Sequence, residues 1–96
     1  VAHVISRKRL REFSVRHPGA ESALAAWYRI MSRMDFTSFA DLRRTFGSAD
    51  KVGPLTVFDI AGNRYRLVAA IHYNRRRVYV RHVLTHAEYD RGAWRP

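Results

Sequence analysis

The feature that most constrains this chain is a change in hydrophobic period near its middle. Up to about residue 46 apolar side chains recur at three- and four-residue steps, and from Leu55 onward they follow the shorter rhythm of strands. Leu55–Ile60 and Arg64–Tyr73 read as strands joined by Ala61-Gly62-Asn63, a tight turn of residues suited to positive φ. Val78–Leu84 follows as a third strand after a turn beginning at Asn74-Arg75. Strands linked by turns this short run antiparallel. In the first half, Ala20, Ala23, Leu24, Trp27, Met31 and Met34 mark one face of an amphipathic helix. Trp27 and Leu24 are therefore expected in the core, while Arg29 and Arg33, four residues apart on another face, point to solvent.

The flanking elements complete the order. Val1–Ser6 reads as an opening strand, and Ser6 as the N-cap of a helix over Arg7–His17 with Leu10 and Phe13 inward. Pro18-Gly19 breaks that helix. Ser38-Phe39-Ala40-Asp41 matches a capping box and starts a short third helix, with Phe39, Leu42 and Phe46 on one stripe and Gly47 as its C-cap. Ser48–Pro54 is left as a loop, and Thr85 caps a short tail helix toward Trp94. Helices gathered ahead of strands define an α+β fold, amino-terminal helices packed on a mainly antiparallel sheet, as one domain over 1–96.

Composition narrows function. Lys+Arg is 18 against 8 for Asp+Glu, a net charge of +10, which draws polyanions toward the surface. Nearly all the cations are arginines, whose planar guanidinium suits bidentate phosphate contacts, although a GC-rich genome yields the same bias. Without cysteine there are no disulfides, no zinc ribbon and no thiol nucleophile, which fits a reducing cytoplasm. No apolar run approaches the roughly 18 residues that span a bilayer. The amino end is too short and too basic for a signal peptide. No basic amphipathic helix here presents bulky apolar residues to a membrane surface.

Strand alternation places the cations. Arg64, Arg66, Val68, Ala70 and His72 share one face of their strand, against Tyr65, Leu67, Ala69 and Ile71. In the next strand Tyr79, Arg81 and Val83 oppose Val78, Val80, His82 and Leu84, so His82 reads as a hydrogen-bonded core histidine. An unpaired arginine in a middle strand is expensive to bury. Arg66 and Arg81 therefore lie on an open face or have carboxylate partners such as Asp59.

The carboxyl half carries a resemblance. Val57-Phe58-Asp59-Ile60-Ala61-Gly62-Asn63-Arg64-Tyr65-Arg66-Leu67, followed by Val78-Tyr79-Val80-Arg81-His82-Val83-Leu84-Thr85-His86-Ala87-Glu88-Tyr89-Asp90, resembles the HigB family of RelE-like toxins. The opening His3-Val4-Ile5-Ser6 and Trp27 are also similar to that family, so the likeness spans nearly the whole chain. Asp59 stands where asparagine is more usual. The resemblance implies a RelE-like fold and cleavage of messenger RNA, commonly on the translating ribosome. It also implies a HigA-type helix-turn-helix antitoxin, whose complex with the toxin represses their shared operon, so that operator DNA is met only through that complex.

RNA cleavage by the neighbouring 2′-hydroxyl needs a group to take its proton, cations around the phosphorus, and a group to protonate the leaving 5′-oxygen. Arg66 and Arg81 are the choice for phosphate cations, with Arg64 in reserve. His86 is the acid–base candidate because imidazole titrates near neutrality, and Tyr89, one helical turn on, is a proton donor or a stacking platform for a base. For Asn63 two readings stand, shaping the turn or binding a base edge, and Arg75, Arg76 and Arg77 are either a solvated hairpin run or a hold on RNA phosphates. Met31, Met34 and Trp27 read as helix core rather than a cofactor box. His82 and His86 imitate a metal pair only on a common helix, so no metal and no cofactor are assigned. The rival functions are a ParE-like inhibitor of DNA gyrase and a non-catalytic RNA- or ribosome-binding protein.

Overall fold

A computed structural model describes residues 2–96; Val1, at the head of the expected opening strand, lies outside the described residues. The elements run β1 (His3–Ile5), α1 (Arg7–Arg16), α2 (Glu21–Arg33), α3 (Phe39–Thr45), β2 (Asp50–Val52), β3 (Leu55–Ile60), β4 (Tyr65–His72), β5 (Arg77–Thr85) and α4 (His86–Arg91). The strands form one sheet in the order β1-β5-β4-β3-β2. β2 to β5 pair antiparallel with their neighbours, and β1 joins the edge of β5 in parallel, Val4 opposite Val78. The α+β layout is the expected one, with helices on a mostly antiparallel sheet. No helix among the described residues is long and apolar enough to cross a membrane.

The helices cover one face of the sheet. Leu24, Trp27 and Met31 are 1–2% exposed and pack with Phe13, Phe58, Leu67, Ala69 and Val80, while Arg29 and Arg33 stay in solvent. Trp27 meets Phe58 edge-on at 5.4 Å between centroids, and Phe46 meets the same ring at 5.0 Å. Met34 departs from the expected stripe: it is 42% exposed, because α2 ends at Arg33 and Met34 is extended. A second, smaller cluster lies on the other face, where Leu55, Val57, Val68 and Ala70 pack with Trp94.

Several local expectations are corrected. Ser6 stands at the head of α1 in a left-handed conformation (φ 73) and makes no side-chain cap hydrogen bond. At α3, Asp41 N–H donates to Ser38 Oγ at 3.1 Å, but the Asp41 carboxylate accepts from Thr37 N–H at 3.0 Å rather than closing the box on Ser38. Phe46, not Gly47, follows the last turn of that helix. Part of the expected loop is a strand: β2 forms a hairpin with β3 through Gly53 (φ 57), and its exposed edge position leaves no apolar alternation to read. In the β3–β4 turn the positive φ values belong to Ala61 and Gly62, not Asn63.

The largest correction is a bulge. The β4–β5 register runs Ala69 opposite Val80 and then Val68 opposite His82, so Arg81 is an extra residue. One inserted residue reverses the faces of everything after it. Val83 therefore joins the helix-side core, and Leu84 joins the opposite cluster. His82, in register with Val68, is half-buried on that same opposite face and is not a core histidine.

Candidate active site

The site begins where β5 ends. Thr85 Oγ1 accepts from Glu88 N–H at 3.2 Å, and Thr85 N–H donates to Glu88 Oε1 at 2.9 Å, a closed capping box that starts α4 immediately after the strand. The Thr85 N–H is the first cause of a Glu88 pKa below the usual carboxylate range. His86 N–H donates to the Arg64 carbonyl at 3.1 Å, which ties the helix to the start of β4. Gly92 (φ 76) ends the helix and turns the chain back. Trp94 is thereby brought under Tyr89, with its Nε1–H donating to the Tyr89 carbonyl at 2.8 Å and the rings stacked at 4.8 Å.

Arg66 sits against this helix. Its guanidinium lies 5.2 Å from the Tyr89 ring centroid, within cation–π range. Arg66 Nε meets Asp59 Oδ1 at 3.1 Å, with Asp59 directly opposite in β3, and Nη1 donates to the Asn63 carbonyl at 2.8 Å and the Tyr65 carbonyl at 3.3 Å. The side chain is 12% exposed. Arg66 is thus a fixed guanidinium, partly neutralised by Asp59, which braces Tyr89. The expected carboxylate partner is the observed one. The face it occupies is not open, because α4 and Trp94 cover part of it.

His86 is half exposed, and its Nδ1 lies 2.9 Å from Asp90 Oδ2, four residues on along α4. A carboxylate on Nδ1 fixes the orientation of an imidazole and leaves Nε2 for a ligand. Sequence reasoning alone misses Asp90, although the i,i+4 spacing of His86 and Asp90 within Thr-His-Ala-Glu-Tyr-Asp is a legible signal. Arg81, at the bulge, is exposed and has no ion pair or side-chain hydrogen bond among the described residues. It precedes Leu84, the cross-strand partner of Arg66, by three residues. His82 beside it is held below the ordinary imidazole pKa, first by burial and then by the charges of Arg9 and Arg81.

The sequence-derived candidates divide into two groups. Arg66 and Tyr89 touch, His86 lies on the same helix as Tyr89, Arg64 and Asn63 contribute carbonyls to the same corner, and Arg81 lies one strand across from Arg66. The exposed Arg64 guanidinium lies 5.5 Å from the Tyr65 ring centroid and against the Pro18–Ala20 turn. Arg75, Arg76 and Arg77 sit at the opposite end of the β4–β5 hairpin, the eight-residue length of β4 away, or about 25 Å. The structure does not bring them to this corner.

A helical layer on one face of a mostly antiparallel sheet, with a cationic corner where the tail helix meets the last strand, defines a RelE-like toxin module. Residues 20–92 match the model of the HigB toxin family, described as the RelE-like toxic component of a toxin–antitoxin system. The chain is 32% identical over 92 residues to an mRNA interferase HigB of Escherichia coli O6:H1, covering 93% of this chain and 89% of that protein. It is 31% identical over 91 residues to the mRNA interferase toxin HigB of Escherichia coli K12 and to an mRNA interferase HigB of Shigella flexneri, covering 92% of this chain and 88% of each. The chain belongs to the HigB toxin family, and as the toxic component of a toxin–antitoxin system it has an antitoxin as partner.

Proposed function

We propose that this toxin is an endoribonuclease that cleaves messenger RNA in the cytoplasm, acting at the corner formed by Arg66, Arg81, His86 and Tyr89. The observation that carries the reading is the His86–Asp90 pair at 2.9 Å, which presents an oriented imidazole beside the braced Tyr89. The 2′-oxygen forms a bond to phosphorus as its proton passes to one of the two groups, His86 Nε2 or the Tyr89 oxygen. The P–O5′ bond breaks as the other group protonates the 5′-oxygen, leaving a 2′,3′-cyclic phosphate and a 5′-hydroxyl end. Arg81, exposed and without a carboxylate partner among the described residues, carries the charge that grows on the phosphate together with Arg66, with the exposed Arg64 in reserve. Arg66 adds its Nη2 donors while holding Tyr89 in place. The names of the E. coli relatives support messenger RNA as substrate.

The rest of the reading is that cleavage occurs on the ribosome, with Asn63 near a base and Arg75–Arg77 on distant RNA phosphates. The whole reaction belongs to one domain over 1–96. The antitoxin is of the HigA helix-turn-helix type, and operator DNA is met only through the toxin–antitoxin complex.

Induced expression followed by mapping of messenger RNA 5′ ends tests the cleavage. New 5′-hydroxyl ends are expected within coding sequence, and they should vanish with a His86/Tyr89 double alanine variant. Full toxicity of that variant would remove the proton-transfer assignment and leave gyrase inhibition or non-catalytic RNA binding.

A further inference from the structure

Tyr89 is not free to stack on a base. Its ring lies on Trp94 at 4.8 Å, 12° from parallel, and carries the Arg66 guanidinium at 5.2 Å, so what it offers a substrate is its hydroxyl. Single-stranded RNA is held by aromatic platforms as well as by cations. On the same face of the sheet stands a second phenol, Tyr79 of β5, half-buried against the smaller cluster and paired with Ala70. His72, exposed at the end of β4, meets it edge-to-face, with ring centroids 5.3 Å apart and planes at 89°.

The strip around this pair is cationic and polar. His72 and His3 flank Arg77 on either side, in register across β4, β5 and β1. Those three strands contain no aspartate or glutamate, and neither Arg77 nor Arg81 has an ion-pair partner among the described residues. The exposed large apolar side chains, Val15 and Met34, belong to α1 and to the segment after α2, not to this strip. A partner helix would find little apolar surface here, whereas a single nucleic-acid strand finds cations for its phosphates and flat rings for its bases. Two rings at right angles form a corner. A base that stacks on one presents its edge to the other, and an imidazole can hydrogen-bond that edge. The Tyr79–Ala70 row stands four β4 residues from the Arg66–Leu84 row, about 13 Å along the strand, and Arg81 lies between the two. We propose that Tyr79, with His72 at its margin, is a base-stacking subsite for a nucleotide beside the cleaved bond, and that the RNA runs from it along β5 past Arg81 to His86 and Tyr89. This rests on the endoribonuclease reading and deepens it, because it names a side chain that selects a base without touching the reacting phosphate.

The test compares Tyr79→Leu, which keeps an apolar side chain on the cluster but has no ring, with Tyr79→Phe, which keeps the ring. A single-stranded oligoribonucleotide carrying 2-aminopurine, titrated with the full chain, reports stacking through the quenching of its fluorescence. Tyr79→Leu should weaken binding about tenfold and reduce the quench, Tyr79→Phe should bind like wild type, and His72→Ala should fall between them, all melting near the wild-type temperature. In cells, mapped 5′ ends should show a purine bias at one fixed position relative to the cut, kept by Tyr79→Phe and flattened by Tyr79→Leu, because the larger ring stacks more strongly. Unchanged affinity and unchanged base distribution in Tyr79→Leu overturn the proposal. So does an equal loss in Tyr79→Leu and Tyr79→Phe, which would make Tyr79 a packing residue, or a Tyr79→Leu variant that loses antitoxin binding and keeps RNA binding. If the unaltered chain produces no new 5′ ends, the endoribonuclease reading fails, and the stacking subsite is then decided by the titration alone.

Discussion

Beneath α1–α3 the sheet buries Phe58, Leu67 and Val80 against Trp27, Leu24 and Met31, whereas its opposite face buries Val57 and Val68 against Trp94 and carries Asp59 and Arg66 at its margin. The first face is covered by three helices and holds many of the fully buried side chains. The second is covered by a six-residue helix with no buried residue of its own and by one tryptophan behind it. A helix that short is not stable alone; it persists through its capping box, the His86 tie to Arg64, and the Trp94–Tyr89–Arg66 stack. The contrast teaches a division of labour. One face secures the fold, and the other carries the candidate site groups on a short element with few buried contacts, the kind that opens most readily.

The contrast can be broken most severely from the helix side. Trp27→Ala removes a side chain that is 2% exposed and should cost about 3–5 kcal/mol of stability in a denaturant titration, enough to lose toxicity and antitoxin binding together. If toxicity survived with the melt unchanged, the helix-covered face would not be what secures the fold. From the other side, His86→Ala and Arg81→Ala change exposed groups, and each should slow cleavage roughly a hundredfold or more with little change in melting temperature. A large drop in melting temperature for either would erase the distinction between the faces.

Smaller effects sharpen it. Thr85→Ala opens the capping box of α4 and should cost about 1 kcal/mol. The loss should show as faster amide exchange confined to residues 86–91, with cleavage falling further than global stability; uniform exchange across the protein would mean that the tail helix is not a separate, weaker unit. The smallest effect concerns pH. Burial and the neighbouring Arg9 and Arg81 hold the folded-state pKa of His82 below its ordinary 6.5. Between the two values the unfolded chain binds more protons than the folded one, so this contribution is complete above the ordinary pKa and is lost progressively as pH falls from there through the lower folded-state pKa. His82→Gln should flatten the acid side of the stability profile, and a variant profile that still fell in parallel with wild type would show that His82 titrates alike in both states.

Much of this was legible in residue order because it depends on neighbours three or four positions apart. The burial of Leu24 and Trp27, the exposure of Arg29 and Arg33, the strands of the second half and the cap at Thr85 all follow from such local rules. Asp59 was readable as a partner for Arg66 because a short antiparallel turn sets the two opposite each other. Asp90 carries a fainter signal, a single i,i+4 pair with His86 in a short tail. β2 carried no signal, because an exposed edge strand buries nothing that alternates.

The sequence by itself determined the kinds of element, their order, and the stock of arginines, imidazole and phenol from which a site can be assembled. Tertiary structure decided which of them meet. Alternation from Val78 to Leu84 is unbroken in the letters, yet pairing with β4 leaves Arg81 without a partner, and from that point inward and outward exchange. Which face a strand residue occupies is settled by the strand beside it, not by its own neighbours in the chain. The same holds for Tyr89, which is held between Trp94 and Arg66 only because Gly92 turns the tail back under the sheet. Local periodicity sets the elements; contacts between residues distant in the chain set the site.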